Sequence, residues 1–196
     1  DDTRISVGLG SGSRAWPIEA SETVIQRLPW AELHDIPVAF ITGTNGKTTS
    51  VRLLGAIARA AGRIAGITST DNVTIGDEIV EQGDFSGPNG ARTVLRDRRV
   101  ELALLEVARG GILRRGLVVS RAYAALVTNV AHDHLGEFGV FDLPTLADAK
   151  LVVARAVGPD GRVVLNADDP LLLERGLVLQ APVIWFTLDP SHPQVL

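Results

Sequence analysis

The sequence predicts an α/β fold built on a doubly wound, mostly parallel sheet, and three observations carry that prediction. From Val38 onward, short apolar runs rich in β-branched residues alternate with helical patterns. Such runs need cover on both faces, which crossover helices supply. The segment ITGTNGKTTS at 41–50 joins a strand pattern to a helix pattern through two glycines, the setting a phosphate loop requires. Finally, 45% hydrophobic and 21% charged residues over 196 positions can fill one core, which excludes a disordered, collagenous or coiled-coil chain.

The elements follow in order. VAFIT (38–42) reads as a buried strand, and Thr48 to Ala61 as a helix ended by Gly62. IAGITS (64–69) is the next strand, and VTIGDEIVE (73–81) alternates about Gly76-Asp77 as a hairpin. A glycine-rich loop, GDFSGPNGAR (83–92), leads into a helix. ELALLEV (101–107) and AYAALVTNV (122–130) are near-continuous apolar strands, and TLADAKLVVARAV (145–157) has helical spacing. GRVVLNADDP (161–170) is a strand running into a loop, and VIWFTL (183–188) is a last strand. Residues 1–36 differ: a glycine/serine stretch precedes ETVIQRLPWAEL (22–33), which has helical spacing. They are expected to be a segment of unknown role ahead of one domain spanning 37–196.

Composition narrows the function. A formal net charge of −4 argues against nucleic acid as a partner, which calls for a basic excess. Cysteine is absent, which removes disulfides, thiolate metal sites and cysteine nucleophiles. No apolar run approaches the roughly 20 residues of a membrane span, and the start carries no signal-peptide pattern. A soluble, cytoplasmic protein without membrane partners is expected. The chain begins at Asp1 and holds no methionine, so a piece of a larger protein is expected. Of 19 basic residues only Lys47 and Lys150 are lysine. A lysine amine can lose its proton and react, whereas a guanidinium cannot.

The chemistry gathers at predicted strand ends, where ligands sit in open α/β sheets. Gly43 and Gly46 let the backbone of Thr44 and Asn45 turn its N–H groups toward phosphate oxygens. Lys47 would reach the outer phosphates and Thr48 would ligate Mg²⁺. The spacing is G-x-x-G-K-T; Ile41 stands where the longer phosphate-loop pattern has its first glycine. Glu106 closes an apolar run, where a charge without a partner is costly, and a role as metal ligand or base fits it better than a surface carboxylate. TNVAHDHLG (128–136) ends another strand with Asn129, His132, Asp133 and His134; spacing does not rank the two histidines. LNADDP (165–170) offers Asn166, Asp168 and Asp169, either to a nucleotide base or to a turn and helix cap. Lys150 lies mid-helix among apolar neighbours and is expected to face inward or to line the cleft. Arg109, Arg114 and Arg115 stand either for a carboxylate grip or for a solvated surface.

Taken in order, GTNGKTT, Glu106, TNVAHDH, Lys150 and NADDP resemble the central ATPase domain of the Mur ligase superfamily over residues 37–188. That superfamily takes in the peptidoglycan amino-acid ligases, folylpolyglutamate synthetase and cyanophycin synthetase. The wording of TDNVTIGDEIVEQGDFSGPNGARTVLRD and LLEVARGGILRRGL is most similar to the cyanophycin branch.

The resemblance implies an ATP-dependent acid–amine ligase working through an acyl phosphate, with ATP and Mg²⁺ as cofactors and small-molecule or peptide carboxylates and amino acids as substrates. It implies that Gly43 to Thr49, with Lys47 foremost, hold the phosphates, and that Thr48 and Glu106 hold a first Mg²⁺. His134 and Lys150, the lysine carbamylated in relatives, match a second metal site. By the same resemblance Asn129 and Asn166, with Asp169, belong to the nucleotide site, and Ser86 and Pro88 to the acid substrate, with Arg109 the candidate among the three arginines for gripping its carboxylate. Gly136 stands where many peptidoglycan ligases carry aspartate, and no carboxy-terminal ligase domain follows within the 196 residues. A P-loop kinase or ATPase and a non-catalytic nucleotide-binding module are the competing classes. Among ligases, peptidoglycan-precursor and folylpolyglutamate substrates compete with amino-acid or peptide ligation. An oligomer is compatible with all of them.

Overall fold

The computed structural model describes residues 4–20, 28–132, 136 and 138–195. In chain order the strands are β1 (Arg4–Val7), β2 (Arg14–Pro17), β3 (Val38–Thr42), β4 (Ala65–Thr68), β5 (Asn72–Ile75), β6 (Glu78–Gln82), β7 (Leu102–Glu106), β8 (Ala122–Val127), β9 (Val157–Asn166) and β10 (Val183–Phe186). The described α-helices are α1 (Lys47–Ala60), α2 (Pro88–Arg96), α3 (Arg109–Arg115), α4 (Leu143–Leu151) and α5 (Pro170–Gly176). Eight strands form one sheet in the order β10-β9-β8-β3-β7-β4-β5-β6. The pairs from β10 to β4 are parallel, and β5 and β6 close the far edge antiparallel. The expected doubly wound α/β sheet is therefore the observed fold.

The alternation of side chains explains why the central strands read as continuous apolar runs. Val38 and Phe40 of β3, with Ala103 and Leu105 of β7, enter the larger core; Ala39, Ile41, Leu102 and Leu104 enter the smaller one. The smaller core is shared with Val51 and Ala58 of α1. The larger one takes in Val94 of α2, Ile112 of α3, Leu146 of α4 and Leu172 of α5. Both faces of each central strand are thus buried, so period-two patterning disappears from the sequence. β3 lies between β7 and β8. The chain leaves β3 toward one side of the sheet and later returns on the other, which makes the β3 end a topological switch point.

Several elements differ from the sequence expectation. Part of the helix expected over 22–33 falls on residues 21–27, outside the described residues, and Trp30–Glu32 forms a 3-10 turn behind Pro29. Proline removes a donor there and disfavours helical backbone just before it. The helix expected over 145–157 is α4 followed by a 3-10 turn across Val152–Ala156, where β-branched Val152 and Val153 crowd a regular helix. Residues 8–13, within the segment of unknown role, hydrogen-bond to the chain ahead of β7. Ser11 N–H donates to Val100 O at 2.8 Å, and Gly10, at φ +51°, would place a Cβ 2.4 Å from that carbonyl. No helix among the described residues is long and apolar enough to cross a membrane.

Gly66, in β4, lets α2 approach the sheet: a Cβ there would lie 2.4 Å from Val94 Cγ1 and 2.9 Å from Val100 Cγ2. Gly66→Ala is expected to destabilise the fold by about 1–3 kcal/mol through overpacking, lowering the melting temperature by several degrees in a thermal melt.

Candidate functional site

The side of the β7 strand that Glu106 occupies follows from residue parity. Leu102 and Leu104 face the core under α1, so Glu106, two residues further, lies on the same face at the strand's carboxyl end. There it meets the first turn of α1: Thr48 Oγ1 donates to Glu106 Oε2 at 2.8 Å. Glu106 is 1% exposed, and its Oε1 has no hydrogen-bond partner among the described residues. Burial pushes its carboxyl above the usual carboxylate range, opposed by the Thr48 hydroxyl and the Lys47 charge. Its backbone N–H is fixed by Thr68 Oγ1 at 3.0 Å.

The loop between β3 and α1 is shaped by its glycines. Gly43 (φ +143°) passes so close to Thr128 that a Cβ would overlap its hydroxyl, and Gly46 (φ +84°) caps α1 in left-handed geometry. No side chain caps α1 and no acid lies in its first turn, so its leading N–H groups remain available to an anion. Lys47 Nζ donates to Gly43 O at 3.1 Å and Thr44 O at 2.9 Å, arching over the loop.

The segment after β8 grips the loop from the other side. Asn45 N–H donates to Asn129 Oδ1 at 3.0 Å, Thr44 N–H to Asn129 O at 2.9 Å, and Ala131 N–H to Thr44 Oγ1 at 3.0 Å. Thr128 Oγ1 donates to Asn45 O at 2.6 Å. Asn129 therefore acts by holding the loop backbone. Thr49 lies in the first turn of α1, exposed. Thr68 and Thr128 were not singled out from sequence; their strand-end positions beside the two motifs are the signal that could have found them.

Ser86 and Pro88 line a cavity of about 330 Å³ with Asp84, Gly111, Arg114 and Arg115. Ser86 Oγ donates to Asp84 Oδ1 at 2.6 Å, and Ala108 N–H, just past β7, donates to Ser86 O at 2.9 Å. Arg114 and Arg115, rather than Arg109, line this cavity. Arg109 and Arg114 lie 6.0 and 4.4 Å from the centroid of the Phe138 ring.

Lys150 is 3% exposed on α4, as its apolar neighbours imply. His134 and Asp133 lie outside the described residues. Among the described residues no three His, Asp or Glu side chains converge. Asn166 Oδ1 accepts from Asp168 N–H at 2.9 Å. Of the two readings of Asp169, the hydrogen bonds match the helix cap: one oxygen accepts from Leu171 and Leu172 N–H at 3.0 and 3.2 Å at the start of α5, and the other accepts from Val130 N–H at 2.6 Å. α5 itself was missed, although Asp169-Pro170 is a helix-start signal.

The raised Glu106 carboxyl has a definite consequence for the metal-free protein. Because folding favours the protonated form, its contribution is present at low pH and fades as pH rises through the folded-state value. Glu106→Gln is therefore expected to raise the melting temperature in a chelator at pH 8 by about 2–4 °C, the shift for roughly 1 kcal/mol. The gain should shrink at pH 5, which paired thermal melts would measure.

The comparisons with known proteins agree with this geometry. Residues 41–192 match the Mur ligase middle domain. The chain is 45% identical over 161 residues to cyanophycin synthetase of Geminocystis herdmanii, an alignment covering 82% of this chain and 18% of that protein. It therefore spans about a fifth of the length of that curated relative. A UDP-N-acetylmuramoyl-L-alanyl-D-glutamate–2,6-diaminopimelate ligase structure superposes with TM-score 0.64 at 21% identity, covering 80% of this chain and 33% of that one. Mycobacterium tuberculosis folylpolyglutamate synthase complexed with ADP and AMPPCP gives TM-score 0.54 at 20% identity, covering 76% and 42%; at such identities the likeness shows the fold. With a family match over 41–192 and this identity over most of its length, the chain belongs to the Mur ligase family as a middle domain.

Proposed function

We propose that this domain binds Mg²⁺-ATP at the β3–α1 loop and serves an ATP-dependent ligase that joins a carboxylic acid to an amine. The observation that carries the reading is Glu106: a buried carboxylate with one oxygen lacking a partner, bonded through the other to Thr48 at the opening of a phosphate loop. That donor pair suits a divalent cation, because hard oxygens from one carboxylate and one hydroxyl are what Mg²⁺ takes from protein beside a nucleotide. Thr48 and Glu106 would hold it, and the metal would supply charge neutralisation at the outer phosphates.

The chain's own groups supply the remainder. The loop N–H groups and the uncapped start of α1 bind phosphate oxygens, and Lys47 leaves its carbonyl partners to meet the outer phosphates. A substrate carboxylate in the cavity beside Ser86 is held near the phosphate loop, where positioning and charge neutralisation do most of the work. Its oxygen attacks the γ-phosphorus and ADP leaves, giving an acyl phosphate. An amine then attacks the acyl carbon, phosphate leaves, and the amine gives up a proton as the amide forms. Arg114 and Arg115 suit a second carboxylate on the acid, in keeping with amino-acid or peptide substrates. The matching curated relatives are named as a cyanophycin synthetase and a UDP-N-acetylmuramoyl-L-alanyl-D-glutamate–2,6-diaminopimelate ligase, which supports this reading.

Lys150, buried on α4 and one of two lysines, is the residue to which the proposal assigns a carbamate, since CO₂ adds to an amine and a guanidinium cannot replace it. Together with His134 it is the proposed second metal position.

The test uses the full-length protein with ATP, Mg²⁺, a panel of amino acids and short peptides as acids, and hydroxylamine as the trapping amine. Hydroxamate formed in step with ADP, and reduced at least 100-fold by Lys47→Ala, is the expected outcome. ADP release without hydroxamate from any acid would favour a kinase or ATPase.

A further inference from the structure

Asp169 is 8% exposed at the β9–α5 turn, and its hydrogen bonds run in two directions. One oxygen takes the Leu171 and Leu172 N–H groups and so caps α5. The other takes Val130 N–H at 2.6 Å, the short distance of a charge-assisted bond. Val130 lies inside the segment that grips the phosphate loop. Its neighbours point the opposite way: Thr128 to Asn45 O and Thr42 O, Asn129 to Thr44 and Asn45, Ala131 to Thr44 Oγ1. The segment is thus stretched between Asp169 on one side and residues 44–45 on the other.

We propose that Asp169 is a positioning residue for nucleotide binding: by holding Val130, it fixes the 128–131 segment and hence the backbone of Thr44 and Asn45. The proposal rests on the nucleotide-binding reading above. It assigns Asp169 an effect on phosphate affinity that runs through its bond to Val130. A helix cap alone does not require this second oxygen. Serine caps helices almost as well as aspartate, but its single hydroxyl oxygen cannot also reach Val130.

The experiment compares wild type, Asp169→Ser, Arg175→Ala, Thr44→Val and the Asp169→Ser/Thr44→Val double variant. Readouts are Mg²⁺-ATP affinity by calorimetry, thermal melting, and hydrogen exchange at the 44–45 amides. Arg175→Ala loosens α5 by removing its ion pair with Asp148 and its bond to Pro144 O, while leaving Asp169 in place. Expected are about tenfold weaker binding in Asp169→Ser, faster exchange at 44–45, and affinity within about twofold of wild type in Arg175→Ala. The double variant should weaken binding by less than the product of the single effects, because both cut the same chain of bonds. If Asp169→Ser does not fold, Asp169→Asn is read instead: its single carbonyl oxygen serves one of the two directions.

Unchanged affinity in a folded Asp169 variant would overturn the proposal, as would equal losses in Asp169→Ser and Arg175→Ala at matched stability, or effects that multiply fully. A folded wild type that does not bind Mg²⁺-ATP would overturn the nucleotide reading together with this one.

Discussion

Glu106 is held where an ionised carboxylate is poorly solvated, and the surrounding structure depends on how that difficulty is met. One of its oxygens is engaged by Thr48, the other has no partner among the described residues, and burial favours the protonated acid. A buried polar atom without a partner is costly to stability, and the proposed cation at this strand end would meet that cost. Strand parity places it there. Moving Glu106 by one residue would send the side chain into the larger core on the opposite face, away from α1.

The loop it serves is preorganised by its neighbours. β3 contributes the loop, β7 the carboxylate, and the segment after β8 clamps Thr44 and Asn45 through side-chain and backbone bonds. Such bracing matters for phosphate binding, because N–H groups already aimed at the anion need little reorganisation when it arrives. The same three strand ends surround the switch point of the sheet, so the fold and the site share one cause. The cavity by Ser86 opens beyond β7, bounded by α2 and α3.

Much of this was legible in the chain. Strand positions from Val38 onward, the phosphate loop and the inward-facing Lys150 follow from apolar periodicity and glycine placement. The importance of Glu106 was legible from a charge set in an apolar run, and the face it occupies from parity with Leu102 and Leu104. The cap that Asp169 places on α5 was one of the two readings LNADDP allowed, but its long-range bond to Val130 was not legible. One carboxylate that serves both a helix cap and a long-range bond to Val130 looks, in sequence, the same as one aimed at a ligand. Short helices escaped for a related reason: α3 and α5 have seven residues each, too few for a periodic signal. The link between residues 8–13 and the rest of the domain includes the backbone bond from Ser11 to Val100, ahead of β7, which side-chain patterns do not encode.

The account stands on Glu106 and Thr48 forming a cation position that completes the phosphate site. Calorimetric titration of ATP into the protein with and without Mg²⁺, in wild type and in Glu106→Gln, tests it directly. Mg²⁺ should strengthen ATP binding by about tenfold or more in wild type and by no more than about twofold in the variant, the difference reflecting one lost charge-assisted ligand. An equal gain from Mg²⁺ in both proteins would contradict the account, because the buried carboxylate would then have no part in holding the metal.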